Sequence, residues 1–359
     1  MSSSVALVHD QLEQDGGAER VLWSLHTMFP EAPIFTAMWN PRRVPRFAGC
    51  DVRPSWMQRL PGIPRMPRAY AALYPLAFRG LDLRGYELVI SSSSYFAKGI
   101  RTDPAALHVC YCHSPSNFVW RPDSYTRRRT SRILMAPLRA WLKAWDRWAA
   151  AQPDVYIANG RPVAERIRAF YGRDAFIVPP PVDRSWFARH ERNAFYLVTS
   201  RLVPSKRVEI AIQASARLDV PLQIVGGGRA ADRLRRHSGP NVTFLGHVSD
   251  LELRALYASA RALLVCAEED FGLVPLEAQA AGTPVIAYDA GGAQETVIDG
   301  VTGVRFRPQT AQALVEAMRS AAQRTWDPSQ IQSHAARFHE RHFQEGVADV
   351  IRKHRATTA

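Results

Sequence analysis

The chain has 359 residues, 47% of them apolar and 10% aromatic, and a formal net charge of +13. At roughly 150 residues per domain this length suggests two domains, and so large an apolar share excludes a disordered chain. No uncharged apolar run approaches the roughly 18 residues of a spanning helix. The start, MSSSVALVHD, lacks the basic flank and apolar core of a secretory signal. A cytoplasmic protein, or one peripheral at the inner face of the cell membrane, is the expectation. Residues 1–190 carry 26 Lys and Arg against 15 Asp and Glu, whereas residues 191–359 carry 20 against 18. The excess in the first part predicts an anionic partner there; nucleic acid, an anionic lipid surface and a phosphorylated substrate all qualify.

In chain order, the apolar run Val5–Val8, the turn at Gly16-Gly17 and the periodic segment 18–29 predict strand, glycine turn and helix. Further strands are expected at 87–91, 106–112, 155–158 and 177–178, with helices over 130–151 and 161–171 between them. The rhythm restarts after Pro179-Pro180-Pro181. Strands are expected at 195–199, 222–225, 242–245, 262–266 and 284–287, and helices at 208–218, 251–260 and 275–281, with a short basic helix after the glycines at 226–228. Strands alternating with helices predict parallel sheets covered on both faces, hence an α/β chain of two Rossmann-like domains. Residues 330–354 read as a polar closing helix. Cys50, Cys110, Cys112 and Cys266 are too few and scattered for a disulfide framework. Strand alternation puts Cys110 and Cys112 on one face, as buried thiols.

The chemistry concentrates in residues 266–297, CAEEDFGLVPLEAQAAGTPVIAYDAGGAQETV, where seven residues separate Glu269 from Glu277. The first acid follows a predicted strand and the second lies in the next helix. Ligands of doubly wound sheets bind outside the carboxyl ends of strands, beside helix N-termini. Gly272 permits close backbone approach and the helix start supplies donors for phosphate, while the carboxylates suit hydroxyls. Upstream, Arg201 and Lys206 lie five apart after a strand, a fork and a point charge able to clamp a diphosphate. Neither Gly16-Gly17 nor Gly226–Gly228 fits the dinucleotide fingerprint G-x-G-x-x-G, which disfavours an oxidoreductase.

The E-x7-E pattern with its internal Phe271-Gly272, followed by EAQAAGTPVIA and GG-x2-E, resembles the donor site of retaining family 4 glycosyltransferases of the GT-B fold. SRLVPSKR, GGAERV and the His113-Ser114-Pro115 element match the same family in order. The resemblance implies a glycosyltransferase with two Rossmann-like domains facing each other across a cleft. An acceptor-binding domain would span 1–180 and a nucleotide-sugar domain 181–330, with the closing helix of 331–359 crossing back to the first. It implies that Arg201 and Lys206 neutralise the leaving diphosphate and that Glu269 holds a sugar hydroxyl. Glu277 would hold the ribose, and His113 would line the sugar pocket. Gly16 and Gly17 would face the donor phosphates; Gly226, His247 and Val248 would meet the base. Phe271, Gly272, Leu273 and Val274 would form the loop and helix start around the donor. Glu295 is a weaker candidate or a helix cap. After His-Ser-Pro the family's Arg-Tyr and Trp-Asp pairs are replaced here by residues 116–121, SNFVWR.

No two aspartates stand two apart, so no D-x-D metal motif is present; no metal and no cofactor is expected, with cations and helix ends stabilising the diphosphate instead. The His-Ser-Pro element resembles mannosyltransferases of bacterial polysaccharide assembly. It implies GDP-mannose as donor, with UDP-sugars as the alternative, and a polyprenyl-diphosphate-linked saccharide as acceptor. Residues 53–79 and 127–148 interleave arginines with Trp56, Met57, Leu60, Tyr70, Tyr74 and three further tryptophans. That mixture suits an anionic membrane surface, unless the apolar members pack inward. No nucleic-acid module is present, so nucleic acid is not an expected partner. A sugar-nucleotide epimerase and a non-catalytic basic binding protein are the rival classes. The first fits the E-x7-E run poorly, and the second leaves Arg201, Lys206, Glu269 and Glu277 without a role.

Overall fold

Short apolar runs punctuated by glycine and proline become strands, and in the computed structural model every strand pairing is parallel. The structure describes residues 4–61, 70–121, 135–187 and 195–358. The chain divides into two units, Met1–Pro181 with Phe343–Ala359, and Val182–His342. The first holds a seven-stranded sheet in the order β3-β2-β1-β4-β5-β6-β7. Its strands are β1 (Val5–His9), β2 (Ile34–Thr36), β3 (Val52–Pro54), β4 (Leu88–Ser93), β5 (Leu107–Cys112), β6 (Val155–Ala158) and β7 (Ala175–Ile177). The second holds a six-stranded sheet in the order β10-β9-β8-β11-β12-β13. Its strands are β8 (Tyr196–Thr199), β9 (Leu222–Val225), β10 (Val242–Gly246), β11 (Ala262–Val265), β12 (Val285–Tyr288) and β13 (Gly303–Phe306). Both units are thus Rossmann-like, as the alternating rhythm predicts.

The central strands β4, β6 and β11 are buried along their whole length, as strands covered by helices on both faces must be. Three serines of β4 lie in that interior. Ser91 Oγ meets His108 Nε2 at 2.8 Å, and Ser92 Oγ meets both His9 Nδ1 at 3.0 Å and His113 Nε2 at 2.8 Å. Two of these buried hydroxyls are therefore paired, which is the condition for burying them cheaply.

Three departures from the sequence reading have physical causes. The strands β2, β3 and β13 were not expected: they are three or four residues long and their apolar residues are broken by Thr36, by Arg53 and Pro54, and by Arg305. The strand expected at 177–178 lies at Ala175–Ile177 and stops before the prolines, which cannot donate to a ladder. The closing segment is two helices, Pro328–Ala336 and Glu340–Thr358. Asp327 starts the first by accepting from the Ser329 amide at 2.8 Å, and that helix buries Ile331 and Ala335 in the second unit. The other inserts Phe343, Val347, Val350 and Ile351, one helical stripe, into the core around β1, β4 and β5. Cys110 and Cys112 face one way, toward Tyr156, Val163 and Ile167. Burial pushes the Cys110 thiol up to about 12, so it is inert at neutral pH; Cys50 is half-buried.

Candidate functional site

In both sheets the strand order reverses once, between β1 and β4 in the first and between β8 and β11 in the second. Loops leaving the carboxyl ends of two strands that diverge at such a point part from each other and leave a crevice. In the second unit those loops carry the candidate cations and acids. After β8 the chain makes a turn of 3-10 helix, Pro204–Lys206, ended by Arg207 in the left-handed region at φ 53°. From it Lys206 Nζ reaches both carboxylate oxygens of Glu269, each at 2.6 Å. Glu269 stands on the loop after β11, so the pair spans the reversal point. Its side chains are about one-fifth and one-quarter exposed, open to a ligand yet partly desolvated. Arg201, on the same loop as Lys206, is exposed.

Glycines make this geometry possible. Gly226 has φ 116°, and a Cβ there would overlap the Ser200 carbonyl oxygen. The glycine turn therefore lies directly on the Arg201 loop, and the Leu202 amide donates to the Gly227 carbonyl at 2.8 Å. The exposed His247 sets its ring over Gly227, while Val248 packs half-buried on the core beneath. On the other side the Gly292 amide donates to the Glu269 carbonyl at 2.9 Å. A Cβ on Gly292 would overlap the Phe271 carbonyl oxygen, which gives the GG-x2-E motif its reason: it fixes the Glu269–Phe271 backbone. Glu295, half-buried in the short helix Ala293–Thr296, lies in that helix's first turn.

Gly272, at φ 93°, turns the chain into the helix Leu273–Ala280. The side chains of Phe271, Leu273 and Val274 pack on the core. What they can offer a ligand is backbone, because the first amides of a helix have no partner within it and carry its positive end. Glu277, one turn further and only 5% exposed, accepts from Tyr257 Oη at 3.1 Å. Arg201, Lys206, Glu269, Gly272 and Glu277 thus stand on the loops and helix at one end of one sheet.

The first unit builds a second polar cluster at its own reversal point. Gly16 is extended and caps the helix Gly17–Met28, its amide donating to Glu19 Oε2 at 3.0 Å. His113 follows β5, with its amide bound to the Ser93 carbonyl and its carbonyl to Asn159 Nδ2, both at 2.9 Å. Burial, with His9 nearby, lowers the His113 imidazole to about 3, so the ring is neutral. Ser93 Oγ and Asn159 Oδ1 beside it have no hydrogen-bond partner among the described residues.

Two features of this unit were not read from the sequence. Asp10, only 5% exposed, accepts four consecutive amides after β4, from Ser94, Tyr95, Phe96 and Ala97, at 2.5 to 2.9 Å. Lys98 Nζ is bound at 2.5 Å to Asp146, which also accepts from Trp120 Nε1 at 2.6 Å and Tyr171 Oη at 2.8 Å. Burial, the largest single influence, lowers the Lys98 ammonium, but the charge and hydrogen bond of Asp146, with smaller contributions from Cys112 and Cys110, together outweigh it and hold the group above its usual value. The segment where the sequence departs from the family pattern is anchored here, through Trp120.

Of the basic and aromatic stretches, residues 62–69 and 122–134 lie outside the described residues. Met57 and Tyr74 are buried and Leu60 and Tyr70 pack on the core, whereas Trp56, Leu76, Met135 and Trp141 are exposed, Trp141 by 45%. Trp141 shares the helix Ala136–Ala149 with Arg139, Lys143 and Arg147. Among the described residues no helix is long and apolar enough to cross a membrane.

Residues 15–186 match the family model Glycosyltransferase Family 4, and residues 183–338 match Glycosyl transferases group 1. Glycogen synthase of Mycobacterium tuberculosis is 32% identical over 226 residues, 58% of this chain and 54% of that protein. D-inositol 3-phosphate glycosyltransferase of Mycobacterium bovis is 31% identical over 179 residues, 42% of this chain and 37% of that protein. The chain thus spans about half or less of the length of these curated relatives. Among solved structures, Anabaena HepE with UDP and glucose has a TM-score of 0.72 at 20% identity, covering 97% of this chain and 99% of its own. Sucrose-phosphate synthase from Thermosynechococcus elongatus has 0.73 at 19%, covering 99% and 100%. These neighbours have the GT-B fold, and the chain shares it.

Proposed function

From a chain that carries both glycosyltransferase domains, family 4 and group 1, we propose a retaining hexosyltransferase that uses a nucleotide-sugar donor. The observation that carries this reading is the Lys206–Glu269 pair at the β8/β11 reversal point, beside the Gly272 helix start and the buried Glu277. A cation there, with Arg201 and the helix amides, would neutralise a departing diphosphate without a metal. Lys206 would exchange part of its contact with Glu269 for a phosphate oxygen, freeing the carboxylate to accept a sugar hydroxyl. Glu277 would hold the ribose, with His247 and Val248 at the base. The acceptor hydroxyl would attack on the face from which the diphosphate leaves, and a leaving phosphate oxygen would take its proton. No protein nucleophile is required.

The first unit would take the acceptor, a lipid-linked or oligosaccharide chain, with its exposed aromatic and basic residues against an anionic membrane. His113-Ser114-Pro115 supports GDP-mannose as donor. A UDP-sugar is the second reading, favoured by HepE, which was solved with UDP and with UDP-glucose. Thermal melting with GDP, UDP, ADP, GDP-mannose and UDP-glucose, on wild type and Glu277→Ala, tests both, because a ligand of the folded state alone raises the melting point. A shift with guanine ligands that the variant loses supports the first reading. A shift with uridine ligands alone overturns the donor, and no shift with any nucleotide overturns the class.

A further inference from the structure

Four buried or half-buried side chains at the carboxyl end of the first sheet touch in sequence. His9 ends β1, Ser92 lies opposite it on β4, His113 follows β5, and Glu19 stands in the first full turn of the helix Gly17–Met28. Glu19 Oε1 is 3.8 Å from His9 Nε2, His9 Nδ1 is 3.0 Å from Ser92 Oγ, and Ser92 Oγ is 2.8 Å from His113 Nε2. His9, Glu19 and Ser92 are at most 3% exposed, so water does not scramble the pattern. A hydroxyl between two imidazoles has one proton to give, and only two polarities of the chain are possible.

The carboxylate decides between them. Glu19 accepts from the Gly16 amide through its other oxygen, which leaves Oε1 facing His9. A lone pair on His9 Nε2 facing that anion would be repelled, whereas an N–H there is attracted. In a neutral His9 ring with the proton on Nε2, Nδ1 can only accept from the Ser92 hydroxyl, and the Ser92 oxygen then accepts from His113 Nε2–H, whereas an imidazolium at His9 would donate from both nitrogens and reverse the polarity. His113 Nδ1 is left without a proton, and it makes no hydrogen bond among the described residues. We infer that Glu19, His9 and Ser92 are positioning residues that hold His113 as the Nε2–H tautomer, with Nδ1 presented as acceptor to a hydroxyl of the substrate. The role of Nδ1 toward substrate rests on the glycosyltransfer reading; the tautomer does not.

The test reads the tautomer directly, by two-bond proton–nitrogen NMR of protein carrying 15N-histidine, with His113 identified by the loss of its signals in His113→Gln. Wild type should show the Nε2–H pattern between pH 6 and 8. Ser92→Ala cuts the chain and should give an average of the two tautomers. In Glu19→Gln the amide can donate to His9 Nε2, which reverses the polarity and should move His113 toward Nδ1–H. A wild-type Nδ1–H form, an imidazolium at pH 7, or one unchanged tautomer in the folded variants overturns the inference. If Glu19→Gln does not fold, Ser92→Ala decides alone. With the donor and acceptor in hand, Ser92→Ala should lower kcat/KM by roughly three- to tenfold, the worth of one hydrogen bond. A correct tautomer with no transfer activity would sink the functional reading and leave this chain standing.

Discussion

Asp10→Asn is an almost isosteric change at a carboxylate whose four hydrogen bonds are all to backbone amides. Oδ2 serves Ser94 and Tyr95, and Oδ1 serves Phe96 and Ala97. An asparagine keeps one oxygen, so two of the four amides would face a donor, in a place only 5% exposed. Each buried donor left unsatisfied costs about 1–3 kcal/mol, and bonds to a charged acceptor lie toward the top of that range. Two of them therefore cost roughly 2–6 kcal/mol, which at about 2–4 °C per kcal/mol for a unit of this size lowers the melting temperature by about 5 to 20 °C. Scanning calorimetry on wild type, Asp10→Asn and Asp82→Asn would measure it. Asp82 pairs with Arg84 on the exposed surface, and its change should leave the melting temperature in place. A melting temperature of Asp10→Asn within a degree or two of wild type would refute the reasoning, because the amides would then have found other acceptors.

Three further outcomes follow from particular residues. Burial lowers His108 to about 3, so between that value and the ordinary 6.5 the unfolded chain binds the extra proton; stability is full above about pH 6.5 and falls by about 1.4 kcal/mol per unit below it. Urea unfolding at pH 7 and 5 should show the loss; because burial holds His113 near 3 as well, His108→Asn should remove about half of the combined slope, and an unchanged slope in the variant would assign the pH effect elsewhere. Gly226→Ala places a side chain at φ 116° against the Ser200 carbonyl, so it should displace the Arg201 loop and abolish nucleotide-induced stabilisation while the far-ultraviolet spectrum stays native. A wild-type nucleotide response would show the contact to be unimportant. The helix Ala136–Ala149 should bring the protein down with vesicles rich in phosphatidylglycerol, less so at 0.5 M salt and less in Trp141→Ser with Arg147→Glu; equal binding to neutral vesicles would point to a different surface.

What the sequence showed and what it hid divide along chain distance. The strands β5, β8, β9, β11 and β12 are segments with at most one polar member each, and the E-x7-E stretch keeps its acids on consecutive loop and helix. The strands β2 and β13 offer no such run, the one only Ile34–Thr36 and the other interrupted by Arg305, and take their identity from the neighbour they pair with. Asp10 and the amides it binds are 84 to 87 residues apart, and His9 and Ser92 are 83 apart. No local pattern announces such contacts, since each partner alone is an ordinary polar residue at a strand end. The glycine motifs lie between these cases. Their presence was visible, but the carbonyls that exclude a Cβ at Gly226 and Gly292 belong to loops 26 and 21 residues earlier.

Strand order explains why the residues singled out for chemistry fall where they do. A parallel sheet must send each connection across one face, and where the order reverses, the two connections leave on opposite faces. At β8 and β11 that divergence leaves strand ends uncovered by helices, so polar side chains can gather without burying unpaired charge, and Lys206 and Glu269 meet from either side. The same construction at β1 and β4 gathers Asp10, His9, Ser92 and His113. There Ser93 Oγ and Asn159 Oδ1 are buried and have no hydrogen-bond partner among the described residues. Unused hydrogen-bonding capacity at an otherwise satisfied buried cluster costs stability in the free protein. A ligand that supplies the missing hydroxyls recovers it, which is the physical reason to expect a sugar at this end of the first sheet.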